Sequence, residues 1–322
     1  MNYFQLDFLG IGCASSGTTW LHNVLSEHPG ICMPKARELM FFCKNPMWAA
    51  HSNHHKGLPW LAKQFGHCPC NVVKGEFNTV YISCPESAQL IYRHRPDIKL
   101  LVAFRNPLDR LYSMYYMLSR LYPLPDTFEE FLQQRPEFIA TGHYHTLISN
   151  YLEFFPRSQF HFILYDDICS DPAQVIRQLY EFLGVYAGHQ SQFEAKRINT
   201  RRTCRSSLLR NMLGFVSEQF KQGQTRLRIN SALSTLGVHT MARWIADLNT
   251  KHVVTPPMNS IIRLRLIDAY TDEVCRLQSL IGRDLSHWLE DEKQDAPSRE
   301  GPPYGKVKSW MRAISQTRIY QS

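Results

Sequence analysis

Gly12-Cys13-Ala14-Ser15-Ser16-Gly17-Thr18-Thr19 is the stretch on which the fold turns. Residues 5–12 before it carry a short apolar run that stops at small residues, and from Thr19 to Leu25 the apolar positions switch to helical spacing. Strand, glycine loop and helix in that order bring successive backbone N–H groups and a helix N-terminus to one point, which suits phosphate oxygens. The loop has two glycines at the spacing of a nucleotide phosphate loop but lacks its lysine, because Thr18 stands where the Walker pattern places Lys. No Walker acidic residue for magnesium stands out. Phosphate binding without γ-phosphate cleavage is the expectation, and an NTP-dependent kinase fits less well.

The same grammar recurs downstream. Ile98 to Phe104 is apolar but for Lys99, ends at Arg105-Asn106-Pro107, and is followed by Leu108, Leu111, Tyr112, Tyr115 and Leu118 at helical intervals. Phe160 to Tyr165 is a third run, after which Asp171-Pro172 opens a helix through Leu183 with Gly184 as its stop. Strands alternating with helices predict an α/β protein with a P-loop-like three-layer fold, its central parallel sheet flanked by helices. Apolar positions 261, 264, 267, 274, 277 and 280 predict a long final helix ending at Gly282. The expected organisation is a single domain over 1–290 with a lid or substrate insertion at 199–257, then a polar linker and C-terminal segment over 291–322.

Of 322 residues, 44% are hydrophobic, enough for a sizeable core, which excludes a mainly disordered chain. The formal charge of +8 favours an anionic ligand. No helix-turn-helix, zinc finger or aromatic-plus-basic RNA motif accompanies that charge, so nucleic acid is not the expected partner. Nine scattered cysteines do not form the framework of a small secreted domain and point to a reducing compartment. His67-Cys68-Pro69-Cys70 lacks the second clustered pair of a structural zinc site, and no metal is expected. With neither a basic leader nor an apolar stretch of ~18 residues, the expected location is the cytoplasm, without a membrane partner.

Arg105 leaves the end of a strand, where ligands of open α/β sheets bind, and Ser113 lies on the next helix. Together they are suited to clamp a second phosphate, the guanidinium by charge-assisted bonds and the serine by its hydroxyl. At this point the chain resembles the sulfotransferases that use 3′-phosphoadenosine 5′-phosphosulfate, in the branch of bacterial and carbohydrate enzymes. Ser15-Ser16-Gly17-Thr18-Thr19-Trp20-Leu21 looks like the family's 5′-phosphosulfate loop, and Arg105-Asn106-Pro107 through Ser113-Met114-Tyr115-Tyr116 looks like its 3′-phosphate motif. Lys35 to Phe42, Gly75-Glu76, Gly142-His143-Tyr144, Asp171-Pro172 and Gly282 to Trp288 extend the likeness over about residues 5–290.

The resemblance implies an enzyme moving a sulfuryl group from that donor to a hydroxyl or amine of a small-molecule or carbohydrate acceptor, with no metal. Glu38 would be the base. Ser15, Ser16, Gly17, Thr18, Thr19 and Trp20 would line the donor's 5′ side, with Trp20 near the adenine, while Arg105 and Ser113 would hold the 3′-phosphate. Arg201 and Arg202 fall where relatives close a basic loop over that phosphate. The family's loop Lys aligns with Ser15, and Phe77 stands where many relatives have Lys. Either another cation serves, with Lys35, Arg37 and Lys74 as candidates, or the protein binds the nucleotide with impaired or lost transfer.

Overall fold

The computed structural model of the chain describes residues 4–44, 52–194, 202–204, 250–252 and 256–291. In chain order its elements are β1 (Phe8–Gly12), α1 (Thr18–Glu27), β2 (Ile31–Cys32), α2 (Gly57–Gln64), β3 (Val73–Phe77), α3 (Pro85–His94), β4 (Lys99–Phe104) and α4 (Pro107–Leu121). There follow α5 (Phe128–Gln134), α6 (Glu137–Ala140), α7 (Tyr144–Leu152), β5 (Phe160–Leu164), α8 (Tyr165–Ser170), α9 (Pro172–Leu183), β6 (Arg202–Cys204), β7 (Thr250–His252) and a long helix, α10 (Ser260–Ile281).

Five strands form a parallel sheet in the order β2-β3-β1-β4-β5. Strand side chains alternate between faces, and β4 shows the consequence. Leu100, Val102 and Phe104 join a core with α3, α4, α7 and α10, whereas Leu101 and Ala103 join a second core with α1 and α9. Both faces are thus covered, as the apolar runs predict.

The helix boundaries have identifiable causes. Asp171 accepts a hydrogen bond from Gln174 N at 3.0 Å to cap α9, and Gly184 ends that helix at φ 78°. Asn106 caps α4 through Leu108 N, with Pro107 in the first turn. In α10 the buried stripe runs through Ile262, Leu266, Tyr270, Val274 and Leu277, while Ile261 and Leu264 are 42% and 52% exposed. That corrects the expected face at its first turn, because periodicity cannot say which of two adjacent apolar residues meets a neighbour.

Two strands were not legible as apolar runs. β2 has only two residues, and β3 reads Val-Lys-Gly-Glu-Phe. Cys32 and Cys68 form a disulfide, with His67 Nε2 3.6 Å from Cys32 Sγ. The expectation of reduced cysteines did not anticipate that bridge, since its halves lie 36 positions apart, one at the end of the edge strand β2 and the other after α2. Of the expected insertion at 199–257, β6 and β7 pair antiparallel, Thr203 opposite Lys251, with β6 alongside α4. The remainder of that insertion up to residue 255, and the segment after Asp291, lie outside the described residues.

Candidate functional site

All five strands of the parallel sheet deliver their C-terminal ends to one edge, and the loop after β1 sits there. Gly17 adopts φ 86° as the residue before α1, which favours glycine, and a Cβ built on it would lie 3.0 Å from Ile168 Cδ1, a close contact that the isoleucine would have to relieve. Ser15 also takes a positive φ, 64°. No side chain caps α1 and no acidic residue occupies its first turn, which leaves the positive end of the helix dipole facing the loop. Ser16 is fully buried, and its Oγ meets no hydrogen-bond partner among the described residues. A buried hydroxyl without a partner is costly to leave so, and an anionic oxygen in the loop would satisfy it. The residues present therefore fit a phosphate group.

Arg105 leaves β4 beside this loop. Its Nη1 donates to the Ser15 carbonyl at 3.3 Å, its guanidinium carbon lies 4.5 Å from the Tyr165 ring centre, and its own carbonyl accepts the Tyr144 hydroxyl at 2.8 Å. Ser113 is half-buried on α4, on the same face as the half-buried Asp109. Behind the loop Arg110 is 1% exposed, donates to Thr141 Oγ1 at 2.7 Å and has no carboxylate partner among the described residues. The thiol of Cys13, at the root of the loop, is pushed up to about 12 by burial, with the charge of Arg110 opposing that rise.

A second segment, Lys35 to Phe42, comes to the loop from the end of β2. Arg37 Nη2 donates to Thr19 Oγ1 at 3.1 Å, and Glu38 Oε1 accepts the Thr79 hydroxyl at 2.9 Å. Glu38 and Met40 take φ values of 55° and 54°. Such angles are unfavourable for residues with side chains and persist only when surrounding bonds hold them. Glu76 provides those bonds: its buried carboxylate accepts Leu39 N at 2.9 Å and the Tyr81 hydroxyl at 2.7 Å. The Tyr81 oxygen in turn accepts Phe41 N at 2.9 Å. Burial raises the Glu76 carboxyl to about 7, and the nearby Glu38 charge adds to the rise.

The loop Ser15 to Thr19, Arg105, Arg37 and Glu38 thus share one edge of the sheet. Trp20, expected near an adenine, is 5% exposed in the α1–α9 core, with its indole N–H on the Phe193 carbonyl at 2.8 Å. One residue past Thr19, the helix turns that side chain inward. Phe77 is a core residue too, its ring lying against Gly10. Arg201 falls outside the described residues, and Arg202 is placed by its backbone alone, in β6. Glu76 and Tyr81 were missed as supports. Gly75-Glu76 stands out only as part of a resemblance, and nothing in the sequence says that Glu76 faces the 38–42 turn.

The sulfotransferase domain family matches residues 6–226, more than half of the chain. The chain is 27% identical over 312 residues to human bifunctional heparan sulfate N-deacetylase/N-sulfotransferase 3, covering 89% of this chain and 31% of that protein. It is 25% identical over 189 residues to mouse heparan sulfate glucosamine 3-O-sulfotransferase 5, covering 54% of this chain and 52% of that one. The chain therefore spans less than a third of the length of the bifunctional relatives. Its fold is shared with a sulfotransferase from Alicyclobacillus acidocaldarius, at a TM-score of 0.63 and 24% identity over 89% of this chain and all of that one. Because the family match covers residues 6–226, from β1 past β5 and well over half of the sequence, this chain belongs to the sulfotransferase domain family.

Proposed function

We propose that the chain transfers a sulfuryl group from 3′-phosphoadenosine 5′-phosphosulfate to a hydroxyl or amine of a carbohydrate or small-molecule acceptor. One observation carries the reading: the Arg37–Thr19 hydrogen bond ties the segment bearing Glu38 to the phosphate loop, so a proton acceptor and an anion cradle occupy one site. In the transfer, the acceptor oxygen or nitrogen forms a bond to sulfur as the bond from sulfur to the bridging oxygen breaks. That electron pair remains on the leaving phosphate, and the acceptor proton passes to the Glu38 carboxylate. Such a reaction asks for in-line positioning and charge stabilisation, not for a metal.

The loop and α1 would hold the 5′-phosphate, with Ser16 Oγ and the Thr18 and Thr19 N–H groups as donors, and Arg105 with Ser113 would take the 3′-phosphate. The names of the heparan sulfate relatives favour a carbohydrate acceptor. A nucleotide-binding protein with impaired transfer is the second reading, favoured by the loop's lack of a lysine and by the burial of Phe77. Cytoplasmic location stays part of the proposal on the scatter of the cysteines, while the Cys32–Cys68 bridge favours an oxidising compartment, and cell fractionation with an antibody to the protein decides between them. Among the described residues no helix is long and apolar enough to cross a membrane.

The deciding experiment is thermal unfolding with adenosine 3′,5′-bisphosphate. A ligand bound only by the native state raises the midpoint, and ATP is expected to raise it less. Arg105→Ala should weaken bisphosphate binding by about 1.5–3 kcal/mol, the scale of a charged hydrogen bond. No binding at millimolar bisphosphate would refute the reading, whereas binding without sulfate transfer to any acceptor in a labelled-donor screen would establish the second one.

A further inference from the structure

Transfer chemistry at a phosphate loop needs positive charge where the leaving oxygen develops its own charge. The loop from Gly12 to Thr19 contains no basic residue. Lys74 does not compensate, because it lies near the start of β3, at the opposite edge of the sheet from the loop, with its ammonium on the Cys70 and Val72 carbonyls at 3.3 Å. Lys35 makes no hydrogen bond among the described residues. Arg37 does reach the loop, through Thr19 Oγ1 at 3.1 Å. We propose that Arg37 is the cation that holds the donor's 5′-phosphate and stabilises the charge on its leaving oxygen, from a position outside the loop.

Three features of the site support this assignment, which rests on the reading above. A guanidinium has five N–H donors in a rigid fork, and Thr19 engages one of them, so others remain to meet phosphate oxygens. The charge of Arg37 is also uncompensated: among the described residues no carboxylate lies within 4.0 Å of it, and Glu38 next to it turns to Thr79 instead. Finally, the backbone that presents Arg37 is fixed just beyond it. Leu39 N is held by Glu76, the Leu39 carbonyl accepts Asn53 Nδ2 at 2.9 Å, and Tyr81 holds Phe41 N. One turn along α1, His22 is buried with its Nδ1 unpartnered among the described residues, and burial first and the charge of Arg37 second lower its pKa to about 4. It therefore stays neutral near pH 7 and does not add a second cation beside the first.

The test separates the two phosphates of the nucleotide by calorimetric titration with adenosine 3′,5′-bisphosphate and with adenosine 3′-monophosphate. Arg37→Gln should weaken the bisphosphate at least tenfold and leave the monophosphate within twofold of wild type. Arg37→Lys should lose less, since it keeps the charge without the fork. Adding Ser15→Lys to Arg37→Gln should restore most of the bisphosphate affinity by returning a cation to the loop. Bisphosphate affinity unchanged in Arg37→Gln, or both nucleotides weakened equally, would overturn the assignment while leaving the proposed function standing. Wild-type protein that binds neither nucleotide would remove the proposed function, and the role of Arg37 with it.

Discussion

Glu38 and Glu76 are two carboxyls on one side of the site with opposite environments. Glu38, the proposed base, is exposed at the mouth of the site and accepts the Thr79 hydroxyl. Glu76 is fully buried, raised to about 7 by that burial, and holds the backbone that presents Glu38. The division of labour predicts different phenotypes. Glu38→Gln should keep nucleotide affinity and lower turnover by about 10²- to 10⁴-fold, the usual range for a lost general base. Parallel titration calorimetry and transfer assays would check it, and turnover within a factor of two of wild type would assign the base elsewhere. The sequence marks Glu38 through its motif, but the supporting role of Glu76 depends on a contact between β3 and the 38–42 turn that no local pattern encodes.

At the scale of elements, the segment carrying Arg37 and Glu38 is tethered at both ends. It leaves β2 at Cys32, which is bridged to Cys68 just after α2, and it re-enters the core at Leu39 to Phe42. A bridge across 36 residues restricts the unfolded chain, worth roughly 4 kcal/mol by loop-closure entropy. Cys32→Ser with Cys68→Ser should therefore lower unfolding free energy by about 2–4 kcal/mol in urea titrations, and a reductant should do the same to the wild type alone. An unchanged midpoint in both cases would show that the bridge does not form in solution. Helix ends were easier to foresee than this tether. Asp171-Pro172 and Gly184 declare the limits of α9 by their own backbone chemistry.

At the scale of the whole molecule, burial lowers the pKa of six histidines among the described residues, His22, His28, His54, His94, His143 and His161. His22, His94 and His161 each have a pKa lowered to about 4, with desolvation as the first cause in every case. His94 shows the structural stake, because its Nε2 accepts Leu6 N at 3.1 Å and protonation would remove that acceptor. Between pH 6.5 and 4 the unfolded chain binds more protons at these groups than the folded one, so stability must fall as pH falls. Each contributes on the order of 2 kcal/mol after allowance for partial solvent screening. Glu76 acts the other way: its folded pKa is raised, so its contribution is full below about 4.5 and is lost as pH rises through about 7. The histidines outnumber the one opposing carboxyl, and unfolding free energy should drop from pH 6.5 to pH 4.5. His161→Gln should flatten that slope, and an equal slope in the variant would show that its burial is not felt.

What the sequence by itself determined was the alternation of strands and helices and the glycine turn between β1 and α1. Each is written in short-range chemistry: apolar runs, glycine where φ is positive, proline and Asx residues at helix starts. The tertiary structure alone decided which residues meet. It turned Trp20 and Phe77 into the core, because helix rotation and strand alternation fix side-chain direction only once neighbouring elements are in place. It paired Cys32 with Cys68, placed Glu76 beneath the turn that carries Glu38, and brought Arg37, 18 positions from Thr19, to the loop. Those contacts join segments far apart in the chain, and their distances follow from the order of strands in the sheet, which the residues between them do not record.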